Sequence, residues 1–341
     1  MNDIAEEVLE FTFSGDPADP IKKHLTGLWS FDHAFINSDD EIGMPLGCAY
    51  EVYGVSGVGK STACYSLAGI LGKQLETNIH LSDLEGFNPK HLGNILRFIG
   101  FTGDIHLGHQ GTDNKILEDF EDIIHKRGKY ENHDLNHTIG ILDSIAAISP
   151  TAEREGDLEG ANMGRRAFLM NQFSRRLLPT VHPRTVGSEN VYFLINHWLP
   201  RIGENGYVSP GGLGKNYLCA VQIHLKRKYI SWKGKQVANL PDGSYLLEGT
   251  LHKNRHGFNR TTFQVFIKAG VGIHPGLTAV FDCLNLKLAK RGKTIKIGDE
   301  SHGYLTTMIR DDWDNDEAFQ PFYDALEEHE NETKKENISE S

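Results

Sequence analysis

Short apolar runs recur along the chain at residues 49–53, 79–83, 137–143 and 191–196, and stretches of helical periodicity separate them, notably at 90–99 and 161–178. Strands that alternate with helices in this way predict a mostly parallel sheet flanked by helices, with ligands held beyond the carboxyl ends of the strands. After Leu218 the pattern turns strand-rich: 221–229, 245–252 and 261–267 read as antiparallel ribbons and 278–290 as a helix. The expected class is therefore α/β with a strand-rich antiparallel extension. Ahead of this region, 8–13 reads as a short strand and 15–20 as a linker, an arm that either pairs with the sheet edge of a neighbouring subunit or packs on its own domain. The division expected is an arm and linker over 1–24, a core over 25–290, a small C-terminal region over 291–330 and a disordered acidic tail over 331–341. No internal repeat is visible.

The first apolar run leads directly into Gly54, Val55, Ser56, Gly57, Val58, Gly59, Lys60 and Ser61, a full G-x-x-x-x-G-K-[ST] phosphate loop, with Thr62 opening a helix-like stretch. Glycines at these offsets let successive backbone N–H groups turn inward toward a triphosphate, and the following helix adds its positive end. Lys60 is placed to reach the β and γ phosphates and Ser61 to ligate magnesium, so ATP and Mg2+ are the expected cofactors.

Residues 138–143 form an apolar strand that ends in a carboxylate, Asp143, the usual second magnesium-associated group of a phosphate-loop ATPase. Just past another strand, Asp83 and Glu85 supply two carboxylates able to orient or deprotonate water. Glu85 is the expected general base and Asp83 the fallback, while both also suit turn or cap roles before Pro89. Two glycine-rich loops stand out. Residues 155–164 precede a helix bearing Arg165, Arg166, Arg175 and Arg176, and 197–214 carry Trp198, Arg201, Ile202 and Tyr207. Long glycine-rich loops in a compact domain are usually functional or disordered, and basic with aromatic side chains suit single-stranded nucleic acid. A third basic group, Lys226, Arg227, Lys228, Lys233 and Lys235, reads either as a strand-binding patch or as solvated ribbon edges.

Composition narrows the class without redirecting it. Hydrophobic residues make up 39% and charged residues 24% of the 341, ordinary for a globular protein, and no apolar run approaches a membrane span. The acidic first ten residues lack the order of a signal peptide, so a cytoplasmic setting is expected. Cys48, Cys64, Cys219 and Cys283 lack C-x-x-C spacing and read as reduced packing residues. The net charge of -11 sits almost wholly in residues 311–341, where twelve carboxylates face Lys334 and Lys335. The rest is nearly neutral, and the acidic end is either a solubilising tail or a competitor for a polyanion site.

Seven ordered segments resemble the RecA family of recombinases, including its bacteriophage UvsX branch: Y-G-V-S-G-V-G-K-S-T at 53–62, D-L-E-G-F-N-P at 83–89, I-L-D-S-I-A-A-I-S-P at 141–150, A-E-R-E-G at 152–156, M-G-R-R-A at 163–167, L-I-N-H at 194–197 and G-G at 211–212. The resemblance implies a RecA-type ATPase core. It also implies an ATP-dependent DNA recombinase, a DNA-dependent ATPase that forms a homo-oligomeric filament on single-stranded DNA and pairs it with homologous duplex, in the company of single-strand-binding and loader proteins and without a membrane. Carried over by position, Glu85 is the catalytic glutamate, Asp143 the magnesium-associated aspartate and Ser144 the adjacent hydroxyl. Met163, Gly164 and the stretch from Trp198 through Gly211 and Gly212 inherit DNA contact. Lys253 and Arg255 resemble the basic pair that reaches a neighbouring subunit's γ-phosphate. His197 stands where bacterial members have a phosphate-sensing glutamine and UvsX-like members a histidine. Asn88 and His91 fall in the adenine-contacting segment, with His91 in place of a stacking tyrosine. A RecA-fold ring helicase and a weakly hydrolysing recombination mediator share parts of this pattern.

Overall fold

Strand β1 (Cys48–Gly54) is buried along all seven residues because it runs through the middle of a nine-stranded sheet. In this computed structural model the described residues are 21–86, 88–108, 113–125, 138–148, 165–181, 189–200, 207–311 and 313–340. The other strands of the sheet are β2 (Ile79–Asp83), β3 (Ile105–Leu107), β4 (Ile139–Asp143), β5 (Val191–His197), β6 (Cys219–Lys228), β7 (Tyr245–Asn254), β8 (Thr262–Lys268) and β9 (Gly272–Ile273). Their spatial order is β9-β8-β7-β6-β1-β5-β4-β2-β3. From β6 to β3 every pairing is parallel, whereas β7, β8 and β9 add antiparallel strands at the other edge. The strand-rich segment is thus a continuation of the main sheet.

Period-two alternation sends the two faces of each central strand into separate cores. Tyr50 and Val52 join one apolar cluster with helix α2 (Lys60–Gln74) and helix α3 (Pro89–Ile99), while Ala49 of the same strand joins another with α4 (Asp113–His125) and α5 (Arg165–Val181). The result is a helix–sheet–helix sandwich. All four cysteines are free and buried, and burial pushes the Cys48 and Cys283 thiols up to about 12. Among the described residues no helix is long and apolar enough to cross a membrane.

The expected helix over 278–290 is shifted. The observed α7 (Pro275–Asn285) starts earlier because His274 caps it, its Nδ1 accepting from the Leu277 amide at 3.1 Å, and Pro275 fits the first turn. Lys287, at φ 65°, breaks the chain away from the helix, and Ala289–Arg291 forms a strand. The expected strand at 8–13 lies outside the described residues.

The end of the chain departs more. Helix Gln320–Glu340 runs through the segment expected to be disordered. Phe319, Phe322 and Leu326, spaced to share one helical face, are buried in a third cluster with Leu246, Phe266 and residues of α7. Residues on both sides of position 290 thus share one core, and its acidic partners point outward: Glu327, Glu328 and Glu332 are exposed. Phe322→Ala should therefore destabilise the fold by about 3–5 kcal/mol, whereas deletion of residues 331–341, the first five of which are exposed, should leave the thermal midpoint nearly unchanged. Equal shifts in a thermal melt would contradict this division between anchored and solvated halves.

Candidate active site

The phosphate loop closes the gap between β1 and α2. Val58 N donates to the Val55 carbonyl at 3.3 Å, and Ala63 N to the Gly59 carbonyl at 2.9 Å as the helix begins. Gly59 sits at φ 112°, where a side chain is strained, and a Cβ there would collide with the Tyr245 hydroxyl. A Cβ on Gly54 would stand 2.6 Å from the Leu225 carbonyl oxygen. At both positions the neighbouring protein atoms leave no room for a side chain. Lys60 is 6% exposed, and its ammonium donates to the Val55 carbonyl at 3.2 Å. Burial pushes its pKa down, against the opposing pull of Glu85 and Asp143.

Asp83 and Asp143 are register partners at the carboxyl ends of β2 and β4. Asp143 accepts from the Tyr65 hydroxyl through Oδ2 at 3.1 Å, while its buried Oδ1 has no hydrogen-bond partner among the described residues. Burial raises the Asp143 carboxyl, Ser61 lowers it and Glu85 raises it further. An orphaned carboxylate oxygen beside a serine hydroxyl fits a hard divalent cation that takes its remaining ligands from phosphate and water. Among the described residues no cluster of three or more His, Cys, Asp or Glu side chains could form a protein-only cage.

Glu85 joins this group through the turn after β2. Leu84 N donates to the Asp143 carbonyl at 2.6 Å, and Glu85 N to Asp83 Oδ1 at 3.2 Å, so Asp83 acts as a turn former. Two groups converge on the Glu85 carboxylate: the Ser144 hydroxyl donates to Oε1, and His197 Nε2 lies 2.9 Å from the same oxygen. With Glu85 ionised, Nε2 carries the proton. Burial alone pushes the Glu85 carboxyl up, but the bonds from Ser144 and His197, with the nearby Lys60 charge, hold it below the usual range. The half-exposed Glu85 is thus an ionised carboxylate with one oxygen anchored. Nearby, Asn88 caps α3 by accepting from Lys90 N and His91 N, and His91 Nε2 lies 3.1 Å from Thr62 Oγ1.

Lys253 is the next-to-last residue of β7, and Arg255 lies just past its end. The Lys253 ammonium is tied within its own chain to the Asn216 and Cys219 carbonyls, and burial lowers its pKa. Arg255 is exposed.

Of the expected polynucleotide contacts, Met163, Gly164, Arg201 and Ile202 lie outside the described residues. Arg165 and Arg166 open α5. Arg176 is engaged by the buried Glu121 of α4 at 2.9 Å, an interhelical pair that charge counting does not reveal. The feet of the second loop meet as a small ladder, Leu199 opposite Val208 and Pro200 opposite Tyr207. Trp198 stacks on Tyr207 with centroids 6.0 Å apart and planes 3° from parallel, and on Tyr53 at 5.0 Å. Gly211 and Gly212 both take positive φ at the turn into helix α6 (Gly214–Leu218). Sequence reading missed the rest of this platform: His224 and His252 lie 4.9 and 6.4 Å from Trp198, because β6 and β7 supply them from distant positions. It also missed the apolar exposure of Phe168, Leu213 and Tyr217. In the third basic group, Lys226 and Lys228 pair with Glu248, and Arg227 donates to the Gly57 carbonyl at 2.7 Å, so most of that charge is internally engaged.

No protein-family model matches the chain. Among curated proteins, it is 27% identical over 198 residues to the RecA protein of Oleidesulfovibrio alaskensis, covering 57% of this chain and 52% of that protein. It is 27% identical over 188 residues to that of Latilactobacillus sakei, with 54% and 49% covered, and 25% identical over 264 residues to that of Desulfovibrio desulfuricans, with 76% and 64% covered. The chain spans about half the length of the first two relatives. These similarities support a relation to RecA proteins, and a mostly parallel central sheet flanked by helices fits a RecA-type core.

Proposed function

We propose that the chain is an ATP-dependent DNA recombinase of the RecA kind, UvsX-like in carrying His197 at the glutamine position, which assembles on single-stranded DNA and pairs it with homologous duplex. One observation carries the reading: His197, bonded to Glu85, and Trp198, stacked in the aromatic platform, are consecutive residues at the end of β5. A group that touches the hydrolytic carboxylate is thereby joined by one peptide bond to a surface suited to nucleobases.

The phosphate-loop amides and Lys60 bind and orient the triphosphate, and Glu85, held ionised, aligns and deprotonates the attacking water. Ser61 and Asp143 would hold magnesium, which would supply charge neutralisation on the phosphates. Lys253 and Arg255 reach the γ-phosphate of an adjoining subunit after Lys253 leaves its own-chain carbonyls, which makes hydrolysis depend on assembly. Met163, Gly164, Arg165, Arg166, Trp198, Arg201, Ile202 and Tyr207 meet the strand. The strand expected at 8–13 contacts the neighbouring subunit, and loader and single-strand-binding proteins act on the assembled form.

The test is ATP turnover with and without single-stranded oligonucleotide, paired with electron microscopy. Stimulated turnover and open filaments support the reading; closed rings with directional unwinding assign a motor instead, and binding without turnover assigns a mediator. Trp198→Ala should weaken single-strand binding by about 1–3 kcal/mol, and wild-type affinity should fall linearly in log–log salt titrations. Unchanged affinity in the variant would remove Trp198 from the interface.

A further inference from the structure

Glu51 lies in the middle of β1, three residues before the phosphate loop opens, and Lys215 lies in α6, just past the second glycine-rich loop. Their side chains are 0% and 3% exposed, and the ammonium stands 2.9 Å from the carboxylate. Asn196 Nδ2 donates to Glu51 Oε1 and to the Pro210 carbonyl, both at 2.7 Å. Gln222 Nε2 donates to Glu51 Oε2 at 2.6 Å and to Asn216 Oδ1 at 2.9 Å. Lys215 also donates to Ser209 Oγ at 2.8 Å and Asn216 Oδ1 at 3.2 Å. Asn196 Oδ1 in turn accepts from the His197 amide at 2.9 Å.

A buried ion pair costs desolvation on both partners, so an apolar pair of similar volume would stabilise a core at least as well. What a fully satisfied polar network contributes is one fixed geometry. This one fixes three things to each other: the strand that feeds the phosphate loop, the C-terminal stem of the second loop (Ser209, Pro210) with the start of α6 (Lys215, Asn216), and the residue immediately before the Glu85-bound His197. Displacement of the stem cannot leave Asn196 where it is, because Pro210 and Glu51 share its amide.

Resting on the function proposed above, we propose that Glu51 and Lys215 are positioning residues, a buried pair that transmits polynucleotide engagement on the second loop to the His197–Glu85 contact. The test compares wild type, the double variant Glu51→Gln/Lys215→Met and the milder Asn216→Ala. Four quantities are measured: thermal midpoint, affinity for a fluorescent ATP analogue, basal turnover, and turnover with single-stranded oligonucleotide. Single variants at the pair strand a buried charge and are expected to lose stability; the double variant removes both. Its midpoint and analogue affinity should stay near wild type while the ratio of stimulated to basal turnover falls about tenfold. Asn216→Ala should lower the ratio less, at unchanged midpoint, and decides the matter if the double variant does not fold. A wild-type ratio in whichever folded variant is measured overturns the inference and leaves the proposed function standing. A wild-type chain whose turnover ignores oligonucleotide overturns that function and the inference with it.

Discussion

On the function proposed above, replacing Glu85 with glutamine should lower oligonucleotide-stimulated ATP turnover by about two to four orders of magnitude, with nucleotide affinity retained. The amide has nearly the shape of the carboxylate and can still accept from Ser144 and His197 through its oxygen, so the turn after β2 and the bond from Leu84 to Asp143 persist. What disappears is the negative charge that draws a proton from water. The pH profile carries the same signature. Because Ser144, His197 and Lys60 together outweigh burial and depress the Glu85 carboxyl, it stays ionised below the ordinary glutamate value of about 4.3. Its contribution to stability is complete above that unfolded value and is lost as pH falls through the lower folded one. Phosphate-release kinetics measure the effect, and a variant within tenfold of wild type assigns the water-activating role elsewhere.

Lys60→Ala is expected to cost about two to three orders of magnitude in turnover and to weaken ATP binding as well, a combination that separates it from Glu85→Gln. Lys60 is the buried cation between two carboxylates, Glu85 and Asp143. A triphosphate arriving without it meets uncompensated negative charge as well as the loss of a donor. Titration with a fluorescent analogue alongside turnover reads both effects, and unimpaired binding would place the phosphates away from the loop.

Local chemistry explains which parts were legible from sequence. The phosphate loop, Asp143, Ser144 and Glu85 each sit in a short motif whose spacing encodes geometry, and in the structure Glu85, Ser144 and His197 do meet. At the end of the chain the acidity drew attention to a solvated tail over 331–341, whereas the apolar positions Phe319, Phe322 and Leu326 just before it dock a helix that runs on through that segment. Arg176 and Lys253 looked free because the partners that hold them, Glu121 and the Asn216 and Cys219 carbonyls, are far away in sequence. The Glu51–Lys215 pair was invisible for the same reason: 164 positions separate two charges that only the assembled sheet brings together.

The sequestration of every native sulfhydryl has a practical consequence. With Cys48, Cys64, Cys219 and Cys283 shielded and the first and last of these held as neutral thiols by burial, maleimide dyes find no native target on the folded chain. A cysteine placed at Leu213, where the side chain is 68% exposed, becomes a single-site fluorescent reporter beside the second loop without first stripping the protein of its own cysteines.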